Sequence, residues 1–405
     1  MRILHTSDWH LGKYLGASSR LPEQIEFMEE LVEIVEFQKI DLILIAGDIY
    51  DTNNPPADAE NLFYKTLVRL SNGGRRPIII VAGNHDSPER ITAAGPLAVI
   101  TGVFIIGTQK TVVHKGAYQH FSIEDADEGV FELSIGSEKA IIAAIPYPSE
   151  KRLNEVFIGQ NQESGLQKTY SEKVGTIFSE LSKKFREETI NLAVGHFYFN
   201  GGLSSDSERE IQIGGSYAVD PAVLPEKAQY VAMGHLHRPQ RVAGSNKAFY
   251  SGSPIQYSKS EINYAKSVYI ADVKPGCEAI VEKIYLRNYK PIEIWKASSI
   301  EEAIRICYEK QDEKSWVFLE IKTQRPLLLS EIKEIKTAKK DIVEIRPYIE
   351  SSDLESDSEL AEESEEIKSL EEEFCEFYQE RKEGAVPDKN LVDLFLSLCI
   401  GENAG

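Results

Sequence analysis

The chain has 405 residues, 42% of them hydrophobic, and a formal net charge of −20. That length exceeds what one core usually holds and predicts two or three domains. No apolar run approaches the roughly 18–20 residues of a bilayer span, so no transmembrane helix is expected.

The acidity is uneven. Residues 350–405 carry 18 acidic and 4 basic side chains, a net of −14, which leaves −6 for the first 349. Bulk charge therefore neither supports nor excludes a nucleic-acid substrate, because local patches and bound cations decide that. The start, "MRILHTSDWH", has no long apolar core and no small-residue cleavage site, so no signal peptide is expected. Cys277, Cys307, Cys375 and Cys399 lie far apart and form no C-x-x-C pair. This predicts a reduced, cytoplasmic chain without a disulfide framework or zinc ribbon.

In chain order, "RILHTSD" reads as a short strand. "PEQIEFMEELVEIVEFQKI" follows, with Ile25, Met28, Leu31, Val32 and Val35 at helical spacing. "DLILIAGD" is a continuous apolar run ending in Gly-Asp. "DAENLFYKTLVRLSNG" predicts a second amphipathic helix, closed by Asn72-Gly73-Gly74, and "PIIIVAGNHD" another buried strand. Buried strands alternating with helices predict a layered α/β core. From about 110 to 148 the pattern is short and strand-like. "YSEKVGTIFSELSKKFREE" is helical, and "INLAVGHFYFNGG" and "YVAMGHLHRPQ" are strands with polar ends. The β-type segments "KAFYSGSPIQY", "KSVYIADV" and "AIVEKIYL" come next. After a break near Asn288–Pro291, strand and helix alternate again in a small α/β unit of about sixty residues. These breaks place a main domain at 1–288, a small α/β cap at 289–350, a solvated acidic linker at 351–366 and a helical hairpin at 367–405. Phe374, Phe377, Tyr378, Leu391, Leu394, Phe395 and Leu398 give that hairpin an apolar stripe, which calls for a docking surface elsewhere.

Five predicted strands end in residue types that bind metals: Asp8 and His10, Asp48 and Asp51, Asn84 with His85 and Asp86, His196, and His235 with His237. Each alone has a structural reading. Asp48 would serve as a helix N-cap, "GNH" as a turn, and a lone histidine as a core residue. Together they form the order D-x-H, G-D, G-N-H-D, G-H, G-H-x-H. In open α/β folds, ligands gather beyond the carboxyl ends of strands.

This pattern resembles the calcineurin-like metallophosphoesterases. "HTSDWHLG", "AGDIYD", "GNHDSPER" and "GHLHRPQ" followed by "YSGSPIQYS" point within them to the nuclease subunits of bacterial double-strand-break repair complexes. The resemblance spans nearly the whole chain. It implies a four-layer α/β–β/α sandwich with a small cap and C-terminal helices. It also implies two divalent ions, Mn²⁺ first and Mg²⁺ or Fe²⁺ as alternatives. One ion would be held by Asp8, His10, Asp48 and His237, the other by Asp48, Asn84, His196 and His235, with Asp48 as the bridge. Mixed oxygen and nitrogen donors without thiolate suit such ions. His85 is implied to stabilise the transition state or protonate the leaving oxygen, with a purely orienting role as the alternative. Relatives more often carry a histidine where Asp51 stands, so no role transfers to it.

The resemblance further implies a DNA substrate and a coiled-coil ATPase partner docked on the C-terminal helices. It implies a homodimer through "AENLFYKTLVRL" and "ERITAAGPLAVI" within a heterotetramer. The activities implied are 3′-to-5′ exonuclease on duplex ends and endonuclease on hairpins and single strands. The C-terminal helices folding back on their own domain is the alternative to docking. No G-x-x-x-x-G-K-[ST] sequence occurs, so ATP dependence would come from a partner. Arg90 and Arg238 either meet phosphates or are surface arginines. His5 reads as a core histidine, and His114 and His120 have no partner in the pattern. A small-molecule phosphoesterase and a non-catalytic DNA-tethering scaffold are the competing functions.

Overall fold

The computed structural model describes residues 1–149, 151–153, 169–208, 218–348, 378, 387–389 and 391–392. The acidic linker and most of the expected C-terminal hairpin lie outside the described residues. The chain divides into two compact units, Met1–Ile349 and Glu350–Gly405.

Two large sheets make the first unit. One has six strands in the order Ile280–Tyr285, Ser267–Asp272, Arg2–Thr6, Leu42–Ala46, Ile78–Val81, Val103–Ile106, of which the last four run parallel. The other has eight, with Ala248–Tyr250, Tyr230–Gly234, Ile190–His196 and Glu138–Ile145 parallel at its centre. Side chains alternate across each strand, so one strand feeds two cores. Leu42, Leu44 and Ala46 face Ala140, Ile142, Leu192 and Val194 between the sheets. Ile43 and Ile45 face outward onto the helices Leu21–Phe37 and Ala57–Leu70. On the other outer face, Ile141, Ala193, Val231 and Met233 pack on the helix Tyr170–Ser182. Helices, sheet, sheet and helix give the four layers that the resemblance implies.

The first helix presents a somewhat different face from the one its spacing predicts. Phe27, Met28, Leu31 and Val35 are buried, whereas Ile25 is exposed. "KAFYSGSPIQY" is strand only over Ala248–Tyr250, and its remainder is loop beside the site described below. A third sheet of three parallel strands, Ile292–Ala297, Trp316–Lys322 and Ile342–Tyr348, carries the helices Ile300–Glu309 and Leu329–Ala338 on a core of its own. It is fastened to the rest of its unit by Leu15 packing with Ile292, Trp316 and Phe318. The buried hydrogen bond from Trp316 Nε1 to Glu23 Oε1 (2.7 Å) reinforces this seam. Among the described residues no helix is long and apolar enough to cross a membrane.

Candidate metal centre

The carboxyl ends of the parallel strands of both large sheets meet at one edge of the sandwich. There the structure brings together Asp8, His10, Asp48, Asn84, His85, His196, His235 and His237. The backbone bends sharply where each strand ends. Asp8, His10, Asp48 and His235 all adopt positive φ (54°, 45°, 51° and 110°), which non-glycine residues rarely do. Backbone bonds hold this geometry, with Asp8 N–H donating to Gly47 O at 3.0 Å and His10 N–H to Asp48 O at 3.0 Å. The glycines of "GN" and "GH" make room for it. A Cβ on Gly83 would stand 2.1 Å from Asp48 Oδ1, and one on Gly234 1.8 Å from the Ala46 carbonyl oxygen.

Asp48 is the hub. Its Oδ1 accepts the His85 backbone N–H at 2.8 Å. Its Oδ2 is left facing His10 Nε2 at 3.6 Å on one side and His196 Nε2 at 3.5 Å on the other. Beyond His10, His237 Nε2 approaches His10 Nε2 to 3.0 Å. On the other side, Asn84 Oδ1 lies 2.8 Å from His196 Nε2 and 3.0 Å from His235 Nδ1. The Asp8 carboxylate reaches both groups, clustering with His10 and His237 and also with Asp48 and His196. Its Oδ1 accepts the His235 backbone N–H at 2.9 Å, and Ser7 donates to its Oδ2.

The outer contacts of the rings settle which nitrogens face inward as lone pairs. His196 Nδ1–H donates to Ala46 O at 2.8 Å, leaving Nε2 toward Asp48 and Asn84. His237 Nδ1–H donates to Ser207 Oγ at 2.5 Å, and His10 Nδ1 faces Asp51 Oδ1 at 3.4 Å. Two imidazole lone pairs 3.0 Å apart repel each other unless a cation lies between them. His196 Nε2, which faces the Asn84 and Asp48 oxygens, likewise calls for a proton or a cation there. The donor set therefore fits two divalent cations flanking Asp48.

The electrostatics agree. Burial pushes His10 and His235 down to about 3, so both imidazoles stay neutral and free to offer a lone pair at physiological pH. Burial would also lower His196, but Asp48 and Asp8 outweigh it and push His196 up to about 9. Burial raises Asp8 to about 7 against the pull of His196 and His237. Asp48 is held well below the usual carboxylate range, because His196, His85 and His10 outweigh its burial. The negative field that draws a proton onto His196 is the field that favours a cation beside Asp48.

A third cluster, His10, Asp51 and His85, has donor atoms at metal-ligand spacing. It is better understood as a hydrogen-bond network, because its groups are engaged elsewhere. His85 Nδ1–H donates to Asp51 O at 2.7 Å, and the Asp51 carboxylate takes Lys13 Nζ at 2.7 Å. His85 Nε2 points toward Asp48 Oδ2 at 4.0 Å, and its ring stands edge-on to His10. Ser87 caps the next segment, and Asp86 has another task. It instead accepts the backbone N–H groups of Ile49 (3.2 Å), Tyr50 (3.0 Å) and Gly83 (2.9 Å), binding the Asp48 loop to the Asn84 loop. His5 is the core histidine the pattern suggested, held by Tyr230 and the Met233 carbonyl. Arg90 is engaged by Glu60 and Asn54, and Arg238 lies over Tyr264. The sequence reading missed Ser207, Glu208, Glu261 and Lys266, which stand behind His237. Ser207 and Glu208 lie in a loop, Glu261 ends the short 3-10 turn Lys259–Glu261 and Lys266 precedes the strand Ser267–Asp272; only the nearness of Glu261 and Lys266 to "SGSPIQYS" hints at a role.

The calcineurin-like phosphoesterase family pattern matches residues 1–239, which contain every residue of this constellation. The chain is 42% identical to the SbcD subunit of the nuclease SbcCD from Bacillus subtilis, over 99% of its own length and 98% of the relative's. It is 34% identical to the SbcD subunit from Rhodobacter capsulatus, covering 68% and 67% of the two chains. With the SbcD subunit from Staphylococcus epidermidis it shares 31% identity over 76% of each. The chain belongs to the calcineurin-like phosphoesterases and, within them, to the SbcD nuclease subunits.

Proposed function

We propose that the chain is the metal-dependent DNA nuclease subunit of an SbcCD-type repair complex, hydrolysing phosphodiester bonds at a two-metal centre. The observation that carries this reading is the single oxygen, Asp48 Oδ2, standing 3.6 Å and 3.5 Å from imidazole nitrogens on its two sides. One ion would be held by Asp8, His10, Asp48 and His237, the other by Asp48, Asn84, His196 and His235. Mn²⁺ suits the oxygen and nitrogen donors, with Mg²⁺ or Fe²⁺ as alternatives. When bound, the pair supplies charge neutralisation at the scissile phosphate and a nucleophile at neutral pH.

The protein's own groups do the rest. Asp48 spaces the two halves of the site, and Ala46 O and Ser207 orient His196 and His237. His85 is held by Asp51 O through Nδ1, which leaves Nε2 directed at the reaction zone. From there it protonates the leaving oxygen or donates to the phosphate as charge develops. The small α/β unit at 289–350 caps the site and contacts DNA by shape and backbone. The C-terminal helices at 367–405 bind the coiled coil of an SbcC-type ATPase. Two copies of each subunit form the cytoplasmic complex, which acts as a 3′-to-5′ exonuclease on duplex ends and an endonuclease on hairpins and single strands.

The test compares cleavage of duplex DNA ends, hairpins and mononucleotide esters by the purified chain, across Mn²⁺, Mg²⁺ and Fe²⁺, with and without the ATPase. Cleavage of DNA in Mn²⁺ is expected. Hydrolysis of the small esters alone would move the reading to a small-molecule phosphoesterase.

A further inference from the structure

His237 is held at its backbone and at Nδ1 by residues outside the proposed ligand set. Its backbone N–H donates to Glu208 Oε1 at 2.6 Å. Its carbonyl accepts from Lys266 Nζ at 3.0 Å and from the Ser253 backbone N–H at 3.2 Å. Its Nδ1 meets Ser207 Oγ at 2.5 Å. Three of these threads converge on Glu261, whose side chain is 0% exposed. Glu261 accepts from the Ser207 hydroxyl, from Lys266 Nζ, and from Ser253 Oγ at 3.3 Å. Packing alone does not call for such a buried ion pair, since apolar residues of similar volume generally serve a core as well.

The direction of the bonds defines a task. The Glu261 carboxylate has no proton to give, so Ser207 spends its hydroxyl hydrogen on Glu261. The Ser207 oxygen then remains as an acceptor for His237 Nδ1–H. That fixes His237 in the tautomer whose Nε2 faces His10 and Asp8. We propose that Glu261 is a positioning residue for the metal centre: acting through Ser207, it locks His237 as an Nε2 ligand for one divalent ion. Lys266 ties Glu261 and the His237 backbone into one register. This rests on the two-metal reading above and adds to it residues that sit 24 and 29 positions beyond the last ligand.

The test uses the full chain, with Mn²⁺ titrated by calorimetry and followed by electron paramagnetic resonance. The variants are Ser207→Ala, which keeps the buried ion pair, and the double change Glu261→Gln with Lys266→Met, which removes it without leaving a lone buried charge. In both, one Mn²⁺ site is expected to weaken by about 10–100-fold while the other is unchanged. Nuclease activity lost at limiting Mn²⁺ should return at excess Mn²⁺, and Ser207→Thr, which keeps the hydroxyl, should restore affinity lost in Ser207→Ala. Two sites titrating as in the wild type, or a loss of activity that excess Mn²⁺ does not reverse, would overturn the role of Glu261 alone. A wild-type chain that binds no Mn²⁺ would overturn the two-metal reading and this inference together.

Discussion

Asp86 offers the clearest energetic test of how the site is assembled. Its carboxylate is 4% exposed and accepts three backbone N–H groups from two different loops. Hydrogen bonds to a charged acceptor contribute about 1.5–3 kcal/mol each, so three give roughly 4.5–9 kcal/mol. Against this stands the cost of keeping the charge there. Burial, and then the neighbouring Asp48, push Asp86 up to about 6 from an ordinary 3.8. A rise of that size corresponds to about 3 kcal/mol. That rise is already net of the three amide bonds, so the loss on Asp86→Ala follows from the donors it strands: three buried N–H groups at about 1–3 kcal/mol each, or about 3–9 kcal/mol. Asp86→Asn keeps a carbonyl oxygen for the amides and removes the repulsion with Asp48, so it should cost only about 1 kcal/mol. Urea unfolding of the two variants, read at constant m-value, measures both numbers. If the alanine variant loses less than about 1 kcal/mol, or the asparagine variant loses as much as alanine, the three-amide strap is not what joins these loops.

His235→Ala and His237→Ala should each abolish cleavage while removing a different Mn²⁺ site, so that either variant still binds one ion in a titration. His85→Ala should leave two-ion binding intact and lower kcat by about 10²–10⁴-fold, the range for a positioned acid; loss of a metal ion in that variant would make His85 a ligand instead. Because His196 is pushed up to about 9 without metal, a proton competes for its Nε2 at neutral pH. Mn²⁺ affinity should therefore rise between about pH 7 and 9, with about one proton released per chain, detected as a binding enthalpy that changes with the buffer's ionisation enthalpy. An enthalpy independent of buffer would contradict this.

Much of the fold can be read locally. "LILIA" is apolar on both faces because Leu42 and Leu44 enter one core while Ile43 and Ile45 enter another, and such a run marks a strand between layers. The strand-end chemistry is equally visible, since each ligand-type residue ends its strand or follows it within a few positions. Sheet closure is not visible. Ser267–Asp272 pairs antiparallel with Arg2–Thr6 across more than 260 residues, and nothing in the periodicity of either strand names its partner. The same non-local closure hides Ser207, Glu261 and Lys266, which become neighbours of His237 only once the chain has returned to the first sheet. Asp86 escapes a local reading for a related reason. Next to a histidine and before a helix start, it looks like local support, whereas its amide partners at Ile49 and Tyr50 are more than thirty residues away.

The pair His235 and His237 shows how backbone geometry and metal chemistry depend on each other here. In a regular strand, residues two apart share a face. At this strand end His235 departs to φ 110°, fixed by its N–H on Asp8 Oδ1, while His237 is anchored through Glu208 and Lys266. The rings diverge as a result: His235 Nδ1 goes to Asn84, and His237 Nε2 to His10. Positive φ at four of the gathered residues costs roughly 1–3 kcal/mol each, and persists only when the surroundings over-determine it. The surroundings do so by cross-linking the strand ends to one another: Asp8 to Gly47, His10 to Asp48, His85 to Asp48 and His235 to Asp8. The backbones of Asp8, His10, His85 and His235 are thus held by a neighbouring strand end rather than by their own strands. Loss of one of these backbone bonds should consequently reach both halves of the site, whereas loss of a side-chain contact should stay in its own half. His10, whose backbone N–H hangs on Asp48 O, is the residue through which that coupling would be measured, by comparing His10→Pro, which removes the N–H, with His10→Ala, which keeps it, in the Mn²⁺ affinity of the site proposed at Asn84, His196 and His235. An affinity there equal in the two variants would show that the two halves stand independently.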